Sequence, residues 1–249
     1  MQYSFRLDKL HVTALREYER PDKDYLVFAV KINDQTFIAP ASQAPTTGFL
    51  WELSAGRDVA LFDTGNPMLP DRTWEIGPFE VGDQDVVTWT FVILNSWNGT
   101  EADTSKILGA VAGALLATGS ILIEGGIGVA LGLIGAVLGG ISALLPSKPD
   151  CDGPVAADLQ ALTGSDLKGL DYQFGDSERS YSQTVTYSDQ KSPSGCGSPK
   201  VDITHTIATP ITFIATSPPE KLVPDIQGDS KAWTGTWADT RLLEESSIV

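Results

Sequence analysis

Pairs of acidic residues spaced two apart occur at three turn-like positions of the chain. Such carboxylates resemble the oxygen ligands of calcium sites, where Ca²⁺ takes about six to eight oxygens from several loops. The pairs are Asp22 with Asp24, Asp83 with Asp85, and Asp150 with Asp152. They follow no EF-hand register, and solvated turn carboxylates have the same appearance. The pattern therefore predicts that the protein has no cofactor. A calcium site is the alternative.

The two histidines, His11 and His205, both lie within strand-like patterns. Hydrolysis of the Ser-His-Asp kind needs an oriented imidazole beside a nucleophile, and the chain has no Gly-x-Ser-x-Gly elbow. Each histidine is therefore interpreted as a strand residue. The sequence predicts a protein that is not an enzyme.

A protease-like motif occurs at Asp63-Thr64-Gly65, which follows the apolar residues Ala60 to Phe62. It is similar to the Asp-Thr-Gly signature of aspartic proteases, in which two such loops bring two carboxylates together. A second copy is missing from the sequence, although a homodimer would supply one. A turn at the end of a strand is the favoured interpretation.

Cys151 and Cys196 are the two cysteines, and each lies in a loop rich in Gly and Pro. They form no CxxC motif. A disulfide requires Cα atoms within about 6 Å of each other, which spacing along the chain does not report. A disulfide and two free thiols therefore both stay open.

The net charge of the chain limits the kinds of molecule that it is expected to bind. The chain of 249 residues has 17 Lys and Arg against 32 Asp and Glu, a formal net charge of -15. A field of this sign repels phosphate backbones, so no nucleic acid is expected as a partner. It also opposes docking on anionic lipid at neutral pH, unless acid or divalent cations reduce it.

Short alternating runs separated by turn residues predict an antiparallel β-sandwich that is discontinuous in sequence. Residues 1–100 are expected to form its first part, and residues 149–249 its second part with long loops and a C-terminal tail. A short helix is predicted over Val155 to Leu162. The predicted strands are Leu7 to Tyr18, Tyr25 to Ile32, Thr36 to Ala39, Asp58 to Asp63, Arg72 to Val81, Val86 to Asn95, Ser180 to Ser188, Val201 to Thr209, Ile211 to Thr216 and Ala232 to Ala238.

Residues 101–148 differ in composition from the rest of the chain. Glu124 is the one ionisable side chain between Lys106 and Lys148, whereas 20% of the whole chain is charged. The run Ile107 to Leu145 divides into two halves, and each is long enough to cross a hydrocarbon core of about 30 Å as a helix. Glu124-Gly125-Gly126 would form the turn between them. The segment predicts a hydrophobic helical hairpin inserted into the sandwich.

Small residues recur every four positions in both halves, which aligns them along one face of each helix. Such glycine zippers let two helix backbones approach closely, as in lipid. The positions are Ser105, Gly109, Gly113 and Ala117 in the first half, and Gly128, Gly132, Ala136 and Gly140 in the second.

A soluble shell that hides an apolar hairpin resembles pore-forming toxins of the colicin type, and the strands over residues 7–37 are similar to those of a C2-like sandwich. The toxin resemblance implies a protein that releases its hairpin into a lipid membrane and forms a pore as a homo-oligomer. The first residues resemble no signal peptide, so a soluble protein released by another route is expected. The alternative is a soluble binding or structural protein whose hairpin stays buried as core or as an oligomer interface.

Overall fold

The computed structural model describes residues 1–17, 21–39, 48–63, 73–96, 110, 112–114, 116, 151–175, 177–188 and 195–211. All of them lie in one compact unit, Met1–Ile211. The predicted strand over Ala232 to Ala238 and nearly all of that over Ile211 to Thr216 fall outside the described residues, as does most of the apolar segment.

Strands dominate the described part of the chain. Before the apolar segment they are β1 (Gln2–Ala14), β2 (Asp22–Ile32), β3 (Gln35–Ala39), β4 (Gly48–Leu53), β5 (Asp58–Ala60), β6 (Glu75–Glu80) and β7 (Val86–Asn95). After it they are β8 (Gly153–Thr163), β9 (Gln173–Phe174), β10 (Glu178–Tyr187) and β11 (Lys200–Pro210), with the short helix α1 (Gly164–Lys168) between β8 and β9.

The strands form two antiparallel sheets, which confirms the prediction of a mainly β protein. The first sheet has the order β5-β1-β11-β10-β9, and β6 also pairs with β1. The second has the order β3-β2-β7-β8, and β4 also pairs with β2. Each sheet joins strands from before and after the apolar segment, through β1 with β11 and β7 with β8.

The two sheets pack on one hydrophobic core. From the first sheet, Phe5 and Ile207 contribute buried side chains, and from the second, Phe28 and Phe91 do so. The rings of Phe5 and Trp89 lie 5.7 Å apart between the sheets. Side chains that alternate along each strand thus form the inner faces of a sandwich.

One secondary-structure prediction was wrong. Residues Val155 to Leu162, expected as a helix, belong to strand β8, which pairs with β7 from Val86–Thr163 to Asn95–Gly153. Val155, Leu159 and Leu162 have a helical spacing, but pairing with a buried neighbouring strand satisfies the backbone of the whole run. Tertiary context overrides local propensity here. The helix in this region is α1, which begins after Thr163 with a capping box between Thr163 and Asp166.

Candidate functional site

Much of the second sheet, in strands β2, β7 and β8, is buried on both of its faces. One face of β2, β7 and β8 points into the core between the sheets, and the opposite face carries a second set of apolar side chains. These are at most 5% exposed, and we call them the outer apolar face: Tyr25, Val27, Ala29, Val92, Leu94, Ala157 and Leu159. None of the seven belongs to the core cluster that joins the two sheets.

Strand register places the outer apolar face on three neighbouring strands. Val27 lies opposite Val92, and Val92 lies opposite Ala157. A sheet with a solvated outer face would carry polar side chains at these positions. The first sheet covers only the inner face, so its packing does not account for the burial of the outer one.

The described residues of the apolar segment show the same one-sided burial. Residues 110, 112–114 and 116 are helical. Ala112 and Leu116, four residues apart on one helix face, are 0% and 2% exposed. Gly113 is exposed, and a Cβ atom added there would meet no heavy atom within 4 Å. Gly113, the one member of the first zipper ridge that the structure describes, is therefore not on the buried face formed by Ala112 and Leu116.

The remaining predicted hairpin positions lie outside the described residues. These are Gly109, Ala117, Glu124, Gly125, Gly126, Gly128, Gly132, Ala136 and Gly140. In the part of the chain that the structure describes, no helix combines the length and apolarity needed to cross a bilayer.

The end of β7 and the start of β8, which flank the apolar segment in the sequence, lie next to each other. Asn95, the last residue of β7, pairs with Gly153 at the start of β8. The side-chain amide of Asn95 donates a hydrogen bond of 3.2 Å to the carbonyl of Cys151. Residues 97–150 are thus an insertion between two adjacent antiparallel strands, and we call this point the base of the insertion.

Arg16 holds the returning strand at the base of the insertion. Its guanidinium group is buried, with the whole residue 2% exposed. Nε donates to the carbonyl of Cys151 at 2.7 Å, and Nη1 donates to the carbonyl of Pro154 at 2.9 Å. Burial lowers the pKa of Arg16, while the charges of Asp22 and Asp152 oppose that shift. One cation therefore binds main-chain oxygens on both sides of Gly153.

Asp22 and Asp24 were expected in a solvated loop, and this expectation was wrong. Both lie in β2 and are 1% exposed. The Asp22 carboxylate accepts hydrogen bonds of 2.8 Å from the backbone N–H groups of Arg16 and Glu17. Asp24 Oδ1 is buried without a hydrogen-bond partner. Burial raises the pKa of Asp24 well above its usual value, with a further contribution from the charge of Asp22.

A disulfide bond joins Cys151 and Cys196, with Cα atoms 5.6 Å apart. It connects the chain at the base of the insertion to the loop before β11. The next residue, Gly197, donates its backbone N–H to the carbonyl of Arg16 at 2.8 Å. The disulfide and the Arg16 contacts thus hold the same short stretch of chain from two sides.

The second acidic pair has structural partners of its own. Asp83 forms an ion pair with Lys168, and Asp85 accepts hydrogen bonds from Gly82 N–H at 2.8 Å and from the Asn33 side chain at 2.9 Å. Since Asn33 follows the end of β2, this pair lies at the opposite end of that strand from Asp22 and Asp24. Among the described residues, no group of His, Cys, Asp and Glu side chains could hold a metal ion.

The histidines and the Asp-Thr-Gly motif are not brought together. His11 contacts Asp58 at 2.7 Å on a partly exposed surface of β1. His205 is 4% exposed and lies beside Trp89 in the core, where burial lowers its pKa. Asp63 has a positive φ of 51°, as expected for a turn at a strand end. Thr64 and Gly65 lie outside the described residues.

Sequence reasoning missed both the outer apolar face and the role of Arg16. A signal for the face was present, because β2 and β7 contain the nearly continuous apolar runs Tyr25–Val30 and Phe91–Leu94. Strands with one solvated face alternate instead. The role of Arg16 gave no signal, since its guanidinium group binds carbonyls of residues more than a hundred positions away. Comparisons of the chain with protein-family models, with curated proteins and with solved structures found no match.

Proposed function

We propose that this protein inserts the apolar segment Ile107 to Leu145 into lipid membranes and forms a pore as an oligomer. In the soluble state, the segment is a helical hairpin that covers the outer apolar face of the second sheet. A trigger releases it into the bilayer, where the glycine-zipper ridges bring the two helices together. The sandwich remains outside as a folded anchor.

The burial of the outer apolar face is the observation that carries this proposal. Val27 and Val92 are both 0% exposed on the side of the sheet that the other sheet does not cover. Ala112 and Leu116 show that the apolar segment also has a buried helix face. A sheltering surface and an apolar segment in one chain are the two parts that a release mechanism requires.

The base of the insertion supports the same proposal. Because Asn95 and Cys151 are in contact, the segment between them can move as one unit while β7 and β8 stay paired. Arg16 and the disulfide would keep the movement from propagating into the sandwich. A hairpin that leaves its shelter therefore need not unfold the protein that holds it.

Cysteine accessibility on the two faces of β7 tests the proposal. Val92→Cys lies on the outer apolar face, and Ile93→Cys points into the core; both positions are 0% exposed. With phosphatidylcholine vesicles at about pH 5, where carboxylates begin to protonate, a thiol reagent should modify Val92→Cys and leave Ile93→Cys protected. Ser54→Cys, at an exposed position, gives the rate for a freely accessible thiol.

The three outcomes separate release from its rivals. Modification of Val92→Cys alone, together with leakage of a trapped dye, supports release of the hairpin from a folded sandwich. Protection of both cysteines in every lipid mixture favours the alternative function, a soluble binding or structural protein with a permanently buried hairpin. Modification of both cysteines would indicate general unfolding on the membrane and would also contradict the proposal.

A further inference from the structure

Strand β10 has an open edge along most of its length. It pairs with β11 from Glu178 to Tyr187, but on its other side β9 reaches only Arg179 and Ser180. Within the described residues, no strand pairs with the outer edge of Tyr181–Tyr187. Ser182, Gln183, Thr184 and Thr186 are exposed.

This edge lacks the features that normally prevent strands from pairing between molecules. Natural edges carry charged residues, proline or bulges, or they are very short. Tyr181–Tyr187 contains no charged residue, proline or glycine, and its register with β11 is regular. Two other edge strands of the first sheet differ, since β6 contains Pro78 and β5 has 3 residues. In a chain of net charge -15, this edge adds no like charges of its own to the contact between two copies.

The open edge is also complementary to itself. If two copies pair antiparallel about Thr184, Tyr181 lies opposite Tyr187, and Ser182 lies opposite Thr186. Residues opposite each other then share a face of the sheet, because Tyr181 and Tyr187 both lie on the side of the buried Ile207 and Val201. Aromatic pairs and hydroxyl pairs at opposite positions stabilise antiparallel strands.

We infer that β10 is a dimerisation strand, which pairs antiparallel with β10 of a second copy and extends the first sheet across a two-fold axis near Thr184. The partner is a second copy of this chain, and the contact forms in solution. The inference does not depend on membrane insertion, since it uses only the sandwich.

Sedimentation velocity without lipid, over a wide range of protein concentration, tests the inference. The wild-type protein should show a concentration-dependent dimer. Thr184→Lys would place two like charges opposite each other at the axis and should abolish the dimer. Thr204→Lys is the matched control, because Thr204 pairs with Thr184 from the neighbouring strand β11 and is not on the edge. It should dimerise like the wild type.

Two results would overturn the inference. The first is a wild-type protein that stays monomeric at every concentration. The second is a dimer that Thr184→Lys and Thr204→Lys weaken equally or not at all, which would place the interface elsewhere. Circular dichroism of both variants should match the wild type, so that loss of the dimer in Thr184→Lys reports on the edge contact and not on unfolding.

Discussion

The guanidinium group of Arg16 occupies the space that a side chain on Gly153 would fill: a Cβ atom added to Gly153 would lie 2.3 Å from Arg16 Nη2. Gly153 also has a positive φ of 155°. The absence of a side chain lets Arg16 reach the carbonyls of Cys151 and Pro154 at once. The hydrogen bonds at the base of the insertion thus depend on close packing of Arg16 against Gly153.

Replacing Arg16 with methionine should strongly destabilise the sandwich. Methionine has an apolar chain of similar length, but it removes the Arg16 donor from the carbonyls of Cys151 and Pro154, although Cys151 keeps the bond from Asn95. It also leaves Asp22 and Asp24 without a nearby cation. Breaking a buried charge network by removing one partner costs about 3–5 kcal/mol. Urea unfolding followed by circular dichroism measures the loss. Arg57→Met, at an exposed arginine with a 3.3 Å bond to Glu52 O, should change stability by no more than about 0.5 kcal/mol.

The wild-type protein should lose stability as pH rises because of Asp24. The variant Asp24→Asn should lack this loss. The pKa of Asp24 is raised in the folded state, so its neutral form contributes stability below the unfolded pKa of about 3.9. This contribution is lost as pH rises through the folded pKa. The unfolding free energy of Asp24→Asn relative to wild type should therefore increase from about pH 4 upward. Asp34→Asn, at an exposed turn, is the control, and equal pH profiles for Asp24→Asn and wild type would contradict the expectation.

Dye leakage from vesicles should be stronger at about pH 5 than at pH 7. In the proposed insertion Glu124 enters hydrocarbon with the hairpin, where an ionised carboxylate costs about 2.5–3.5 kcal/mol. Protonation of Asp22 and Asp24, which lie at the base of the insertion, does not explain release of the hairpin at low pH. Burial raises the pKa of Asp22 and Asp24, so their protonation favours the folded state. Glu124→Gln should therefore leak at pH 7 and lose much of the pH dependence. Glu101→Gln, which removes the same charge outside the apolar run, should behave like the wild type.

The sequence predicted strands well where a run stood between clear turns. Val86 to Asn95 was predicted with the bounds of β7, and Tyr25 to Ile32 falls within β2. The prediction failed for β8, since Ala-rich residues with helical spacing form a strand there only because β7 lies alongside. Strand β4 was not predicted at all; its residues Gly48–Leu53 follow a stretch rich in Pro, Ser and Thr.

The candidate site was less predictable than the fold, because its parts are distant in sequence. The apolar segment is evident from composition alone. By contrast, the contact between Arg16 and Cys151 spans 135 positions, and the disulfide spans 45. Only the folded chain shows that Asp22 and Asp24 lie buried in β2 beside Arg16 and not in a solvated turn.

The disulfide between Cys151 and Cys196 closes a covalent ring that does not include the insertion. Both cysteines follow residue 150, so one proteolytic cut within residues 97–150 would leave two polypeptides with no covalent link. One would carry β1–β7 and the other β8–β11, and the pairings of β1 with β11 and β7 with β8 would hold them together. The two fragments would thus be comparable to those of a split protein, because each contributes strands to both sheets.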